Sequence, residues 1–276
     1  MSGDKVNAVR DDEYVEIILA PIRKSGAYLP KMGGSGEVDL EGFTGLYGAD
    51  PLYHWMGLDS PLMFAAHKAA GGMTSIYRQL GIGSERLFRQ VLRDQLALDA
   101  DQVTWSYEIL PDLDAEDAPK DVKARVLSLD GRVELEDVDD SAARARIKEW
   151  IDAQRGRLNI TAPLSGAVFE VRQGYKSADS KRQNADLANA AQALGHGFLP
   201  VLTIMSTQIN EVVHSRYTTG NWSVLMGTVG TEDPLRSTYD FVDQVVGYDL
   251  AAFFERNTSR LRAGMEDILQ TLLEAK

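Results

Sequence analysis

The stretch that decides the fold runs Phe169-Glu170-Val171-Arg172-Gln173-Gly174-Tyr175-Lys176-Ser177-Ala178-Asp179-Ser180-Lys181-Arg182-Gln183-Asn184-Ala185-Asp186. It predicts a long strand over 166–176 and a helix over 180–194 that opens with a capping box, Ser180 with Gln183. The apolar run 198–205 that follows predicts a buried strand. Strand, helix and strand in this order are typical of a parallel crossover. The sequence therefore predicts an α/β fold with a mixed central sheet flanked by helices.

The rest of the chain supplies further elements for a single domain over 1–276, with its core at roughly 80–206. Residues 60–80 predict a helix broken at Gly71-Gly72, and 84–98 predict a second helix capped by Ser84. A strand over 103–110 precedes two strands, 123–129 and 132–138, that we expect to form a hairpin about Asp130-Gly131. Further helices are predicted over 140–154, 239–255 and 258–276.

One face of the strand at 166–176 carries an unusual number of charges. Alternate residues of a strand share a face, so Glu170, Arg172 and Lys176 would point the same way. Burying a charge without a partner is costly, so this face should open to a cleft, a metal ion or a charged ligand. The alternative is an edge strand whose polar face meets water.

The helix that follows opens with side chains suited to an anion. A helix N-terminus presents free N–H groups and the positive end of the dipole, and cations in the first turn oppose that dipole. An anionic ligand would offset the penalty, and long amide and guanidinium side chains also read base edges. The residues concerned are Lys181, Arg182, Gln183 and Asn184.

The composition excludes several classes of protein. The chain has 276 residues, a net charge of −12 and no Cys, so disulfide scaffolds and Cys-ligated metal sites are excluded. No apolar run approaches the ~20 residues of a membrane helix, and the start lacks an apolar signal segment, so we expect a cytoplasmic protein without a membrane partner. We also expect Tyr53, Trp55 and Trp222 to be core aromatics rather than base-stacking platforms.

The negative charge is concentrated in one segment. Residues 99–140 hold 14 acids and four bases, a net charge of −10, which leaves −2 for the other 234 residues. The acidic segment is interpreted as a solvated surface, or alternatively as a flap that keeps the protein off unspecific polyanions. The remainder is nearly neutral and can accommodate local basic clusters.

The acid and Lys strand, the Ser/Asp-containing turn and the helix opening in Arg-Gln-Asn resemble the catalytic region of the PD-(D/E)xK type II restriction endonucleases, with ApaLI-like enzymes as the nearest group. The segment 81–89, Gly-Ile-Gly-Ser-Glu-Arg-Leu-Phe-Arg, is similar to their helix that carries an acid, here Glu85. The resemblance covers roughly residues 80–206.

The resemblance implies a restriction-endonuclease-like core and Mg²⁺-dependent cleavage of double-stranded DNA by a homodimer. It implies that 1–79 and 207–276 serve DNA contact and dimerisation. Glu85, Glu170 and Lys176 are then the expected catalytic residues, and Glu170, Asp130 and Asp186 the expected metal ligands. The expected DNA contacts are Arg172, Gln173, Lys181, Arg182, Gln183, Asn184, Gln208, Asn210 and Arg216, the last three in a polar segment, 207–222, that would face the major groove.

The sequence departs from the family pattern, acid-x-Lys, because Gly174 stands two residues before Lys176. Three alternatives remain: a bulge at Gly174 brings Glu170 and Lys176 together, Glu170 pairs with Arg172, or an acid such as Asp186 substitutes. Asp130 has its own alternative, a plain turn residue. Two rival functions also remain, a non-catalytic DNA-binding regulator and a repair or modification-dependent nuclease of the same fold.

Overall fold

The computed structural model describes residues 2–32, 36–109, 125–174 and 180–274. The chain divides into two compact units, residues 1–87 with 253–276, and residues 88–252. The structure confirms an α/β protein with a mixed sheet and helices packed on it, whereas the single domain over 1–276 stays a prediction. Within the described residues, no helix is long and apolar enough to cross a lipid bilayer.

The first unit is helical. It contains α1 (Ser2–Arg23), a 3-10 turn (Lys24–Ala27), α2 (Leu40–Ala49), α3 (Pro51–Trp55), most of α4 (Pro61–Leu96) and nearly all of α9 (Leu250–Leu273). Its core includes Tyr14, Phe43, Phe64 and Phe253, all fully buried, and the ring of Tyr14 meets that of Phe253 edge to face at 5.6 Å. These aromatic contacts join helices that lie far apart in the sequence.

Helix α4 runs without interruption, so the predicted break at Gly71-Gly72 and the predicted start at Ser84 are wrong. A Cβ on Gly72 would lie 2.5 Å from the Leu272 side chain, so this glycine allows close helix packing rather than a turn. The Ser84 hydroxyl donates to the Leu80 carbonyl, one turn back, instead of capping a new helix.

The second unit holds two sheets. Strands β1 (Trp105–Ile109) and β2 (Arg125–Leu129) form an antiparallel pair. Strands β3 (Gly131–Glu134), β4 (Gly166–Arg172), β5 (Phe198–Ile204) and β6 (Ser223–Leu225) form a mixed sheet in that order. Only β3 is antiparallel to its neighbour in this sheet; β4, β5 and β6 run parallel. Its helices are α5 (Ser141–Arg157), α6 (Ser180–Gly195), α7 (Glu211–Thr219) and α8 (Thr238–Phe241), with a 3-10 turn at Leu135–Asp137 and a π-helical turn at Val242–Val246.

The sheet corrects three predictions. The hairpin about Asp130-Gly131 is wrong, because β2 pairs with β1 and β3 pairs with β4. The edge-strand alternative is also wrong, since β4 lies between β3 and β5 and is buried from Gly166 to Val171. The strand ends at Arg172 rather than Lys176, and residues 175–179 lie outside the described residues.

Helices cover both faces of the mixed sheet. Side chains of β4, β5 and β6 on one face share an apolar cluster with α6 and α7, which includes Ala190 and Tyr217. On the other face, the ring of Phe169 lies 5.1 Å from that of Phe88 and 5.7 Å from that of Phe241. A central strand enclosed on both sides in this way places any charge it carries away from bulk water.

The predicted core aromatics divide into two groups. Trp222 is fully buried, as predicted, and packs edge to face on Tyr217. The prediction for Tyr53 and Trp55 is wrong, because their exposed fractions are 39% and 79%. The local sequence could not distinguish the buried Trp222 from the exposed Tyr53 and Trp55, because burial of an aromatic side chain depends on which other element it packs against.

Gly166, the first residue of β4, packs closely against β3. A Cβ on Gly166 would lie 2.3 Å from the Val133 carbonyl oxygen of β3, so Gly166→Ala should lower the free energy of unfolding by about 1–3 kcal/mol. Gly156 in α5 has nothing within 4 Å of its Cβ position, so Gly156→Ala should raise it by up to about 1 kcal/mol. Urea unfolding of both variants checks this; equal stabilities would contradict the strand packing.

Candidate active site

An ion pair lies at the carboxyl end of the central strand. Glu170 and Arg172 are two residues apart in β4 and therefore share a face, and Nη2 of Arg172 pairs with Oε1 of Glu170. The exposed fractions of their side chains are only 7% and 14%. The structure therefore favours the second of the three alternatives, the pairing of Glu170 with Arg172.

A second carboxylate reaches the same guanidinium. Asp186, on α6, places Oδ2 3.5 Å from Nη2 of Arg172, and its side chain is 7% exposed. The Tyr217 hydroxyl, from α7, donates a hydrogen bond to this same Oδ2. Two nearly buried carboxylates thus share one guanidinium.

Asp130 binds the backbone beside Glu170. Its Oδ2 accepts from the Val171 amide at 2.8 Å, and its own amide donates to the Phe169 carbonyl at 2.8 Å. Nε of Arg89, on α4, donates to the Asp130 carbonyl at 2.8 Å. Asp130 is therefore fixed against the three residues centred on Glu170, and its role as a metal ligand stays a prediction.

The chemistry of these donors suits a hard divalent cation. Carboxylate oxygens are the ligands that Mg²⁺ prefers, and one or two of them commonly suffice, with water and substrate phosphate completing the shell. No three His, Asp or Glu side chains are grouped as a metal site in the described part of the chain. The three-acid set Glu170, Asp130 and Asp186 therefore stays a prediction.

The loops that follow β4 and β5 lie against each other. A Cβ on Gly174 would sit 2.8 Å from Oγ of Ser206 and 3.3 Å from the Gln208 carbonyl oxygen. The Tyr239 hydroxyl donates to the Met205 carbonyl at 3.1 Å, and burial raises the pKa of Tyr239, so it remains a proton donor. Ligands of parallel α/β sheets commonly bind at this carboxyl edge, and Glu170 and Arg172 lie at the end of β4 beside it.

The structure shows no bulge at Gly174. The pairing of β4 with β5 continues without interruption from Gly166 to Arg172, and Gly174 lies beyond the strand. Lys176 lies outside the described residues, so its position relative to Glu170 stays a prediction.

The remaining predicted residues are distributed as follows. Helix α6 begins at Ser180, as predicted, but the side chains of 181–184 lie outside the described part of the chain. Gln173 and Arg216 are partly exposed, and Gln208 is exposed. Glu85 lies on the part of α4 that belongs to the first unit.

The polar segment 207–222 is largely the helix α7. Oδ1 of Asn210 caps that helix by accepting from the Val212 amide at 3.0 Å, which commits one side of its amide group. The roles of Gln208, Asn210 and Arg216 in DNA contact stay predictions.

Sequence reasoning missed two tyrosines. Tyr217 lies four residues after Val213, and both are buried, so apolar spacing on one helix face was the signal. The Tyr107 hydroxyl donates to Oδ1 of Asn189 at 2.6 Å, three residues after Asp186 on α6. Two hydroxyls from separate elements thus hold the inner face of α6.

Comparison of the chain with protein-family models, curated proteins and solved structures gave no match in any of the three. The resemblance to the PD-(D/E)xK nucleases therefore rests on the residues described above. The geometry at the end of β4 is the independent observation on which a function can be argued.

The Tyr217 hydroxyl donates to a carboxylate and the Tyr107 hydroxyl to an amide, so the two hydrogen bonds should differ in strength. Hydrogen bonds to charged groups contribute about 1.5–3 kcal/mol and neutral ones about 1 kcal/mol. Tyr217→Phe should therefore lower the free energy of unfolding more than Tyr107→Phe, which removes a bond to a neutral amide. Urea titration of the two variants decides this, and a larger loss for Tyr107→Phe would contradict the assignment.

Proposed function

We propose that this chain is a Mg²⁺-dependent, site-specific endonuclease of double-stranded DNA, of the type II restriction kind. The observation that carries the proposal is the charged cluster at the carboxyl end of β4, where two nearly buried carboxylates share one guanidinium. Carboxylate oxygens are the ligands that Mg²⁺ prefers, which supports a divalent cation as the ligand of this cluster.

Asp130 and Glu170 are the proposed metal ligands. Glu170 lies on β4, and Asp130 immediately precedes β3, the strand that pairs with β4. The Val171 amide donates to the Asp130 carboxylate and holds it in place. A bound Mg²⁺ would polarise a phosphoryl oxygen and lower the pKa of an attacking water. Without metal, Arg172 lies between Glu170 and Asp186, and Tyr217 holds the carboxylate of Asp186.

The cation for the scissile phosphate comes from Arg172 or Lys176. A cation fixed beside the phosphate stabilises the charge that develops on it in the transition state. Arg172 stands two residues after Glu170, the place of Lys in the family pattern, so the chain offers Glu-x-Arg there. Lys176, four residues further on, is the alternative, with Glu85 as a supporting acid.

Contact with the DNA backbone is assigned to the start of α6. Its first turn carries Lys181 and Arg182, and free amides at a helix N-terminus bind phosphate. Gln173 and Gln208 belong to loops that meet at the same edge of the sheet and are proposed to contact the duplex. A palindromic site cut on both strands would require two copies of the chain.

A non-catalytic DNA-binding protein is the second candidate, and one observation favours it. The Arg172 guanidinium is already paired with Glu170 and Asp186, so the cluster is partly neutralised without metal. Arginine is permanently charged and bidentate, which suits a structural counter-ion better than lysine. In this candidate the cluster stabilises the carboxyl end of β4 and the chain binds duplex without cutting it.

Supercoiled plasmid incubated with the protein and Mg²⁺ separates these functions. Discrete linear bands support the site-specific endonuclease, and a smear supports a repair or other non-specific nuclease of the same fold. Intact plasmid that shifts on a gel supports the DNA-binding protein. Plasmid that neither shifts nor is cut refutes the proposal.

Glu170→Gln should abolish cleavage because it removes a metal-binding charge while preserving size. The matched control is Glu149→Gln, an exposed glutamate of α5 in the same unit, which should cut like the parent chain. Ca²⁺ should raise the melting temperature of the parent chain and of Glu149→Gln, but not that of Glu170→Gln. Retained cleavage in Glu170→Gln would remove this residue from the metal site.

Arg182→Ala should weaken duplex binding and reduce its dependence on salt. Each phosphate that the protein no longer neutralises makes the slope of log K against log salt shallower by about 0.9. Fluorescence anisotropy of a labelled duplex at several NaCl concentrations measures that slope. Arg262→Ala, on α9, is the control for removing one positive charge and should leave the slope unchanged. An unchanged slope in Arg182→Ala would exclude Arg182 from phosphate binding.

A further inference from the structure

An apolar surface that no other described part of the chain covers lies at the corner formed by α2, α3 and the start of α4. Six large apolar side chains project there, and we call them the apolar corner. Four are more than half exposed: Leu62 at 81%, Trp55 at 79%, Met56 at 67% and Leu52 at 59%. The other two members are Leu46 and Tyr53, at 44% and 39%. Contiguous exposed apolar patches on monomers rarely exceed a few hundred Å², and larger ones mark interaction sites.

Hydrogen bonds and ring contacts hold the helices of the apolar corner. Helix α3 has no buried residue, yet both its ends are held. Oδ1 of Asp50 caps it by accepting from the amides of Leu52 and Tyr53, and Nδ1 of His54 lies 2.6 Å from Oδ2 of Asp59. The ring of Tyr53 lies 4.8 Å from that of Tyr47, which stacks on the buried Phe43.

The charges around the apolar corner argue against a charged partner. Residues 32–67 contain five acids and neither Lys nor Arg, which disfavours nucleic acid and anionic lipid. Four of the five carboxylates are already engaged nearby: Asp39 and Asp50 cap helices, Asp59 binds His54 and Glu37 pairs with Lys31. A basic partner would therefore find few carboxylates to bind, whereas an apolar, self-complementary contact meets little opposition.

The size of the surface fits a dimer. If a fully exposed side chain of this size offers roughly 200 Å², the six exposed fractions amount to about 700 Å². A standard protein interface buries about 800 Å² on each partner. A two-fold contact brings the same patch of both copies together, so one surface suffices.

We propose that the apolar corner is the interface through which two copies of this chain associate. Trp55 and Leu62 are its two most exposed members, and tryptophan is enriched among the residues that carry most of the binding energy of an interface. This surface would be the dimer interface of the proposed endonuclease. The argument for it uses only the exposed apolar surface, so it does not depend on nuclease activity. A chain that dimerises and cuts no DNA refutes the nuclease and leaves this interface standing.

Sedimentation equilibrium of the full chain, from micromolar to on the order of 100 µM, tests the proposal. The parent chain should sediment with twice the chain mass. Trp55→Asp and Leu62→Asp should each raise the dissociation constant at least about 30-fold, because they place a charge in the apolar contact. Both side chains are solvent-exposed in the monomer, so circular dichroism should show unchanged folding.

Val212→Asp is the matched control. Val212 is 70% exposed on α7 of the other unit, where an aspartate in the first helical turn is well tolerated, so this variant should remain dimeric. A parent chain that remains monomeric at the highest concentration overturns the proposal. So does a Trp55→Asp or Leu62→Asp variant that dimerises as tightly as Val212→Asp.

Discussion

The charged cluster around Arg172 is the constraint on which the second unit depends. One guanidinium lies between the carboxylates of Glu170 and Asp186, which belong to a central strand and to the helix that crosses over it. Charges with so little access to water must be paired, and removing one partner of such a set typically costs several kcal/mol. The cluster therefore fixes the angle and depth at which α6 lies on the sheet, together with the two tyrosine hydroxyls that bind the same helix.

The sequence of residues 166–205 predicted the crossover from β4 through α6 to β5, but it did not predict which strand pairs with β4 on its other side. An apolar run, a polar turn and a capped helix are local patterns, and they predicted β4, α6 and β5 correctly apart from the end of β4. The Asp130-Gly131 pair also gives a strong local signal, but pairing with β4 overrides it. The strand after Asp130 pairs with a segment much later in the chain, Gly166 to Phe169, where β4 is buried and β3 buries Gly131 and Val133. Such long-range pairing is not visible in turn chemistry.

The helix break predicted at Gly71-Gly72 in the first unit is wrong for a related reason. Gly71-Gly72 weakens a helix by its intrinsic propensity, yet Leu272 packs so closely against Gly72 that any side chain there would clash. Packing against the far end of the chain thus explains a glycine that local rules interpret as a break. Trp55 shows the opposite case, because its local pattern is that of a core residue and no element of the described chain covers it.

The candidate site was predictable in its residue types rather than in its pairings. Counting along the strand shows that Glu170 and Arg172 share a face, but only the fold shows Asp186 and Tyr217 arriving there. The arrangement also sets a condition on the proposed metal. Because Arg172 already holds Glu170, a cation could bind the carboxylates fully only if the guanidinium turned outward, toward the edge where the loops after β4 and β5 meet. A phosphate at that edge would attract the released guanidinium, so metal and nucleic acid would bind more tightly together than either would alone. Arginine suits this exchange because it stays charged in both positions.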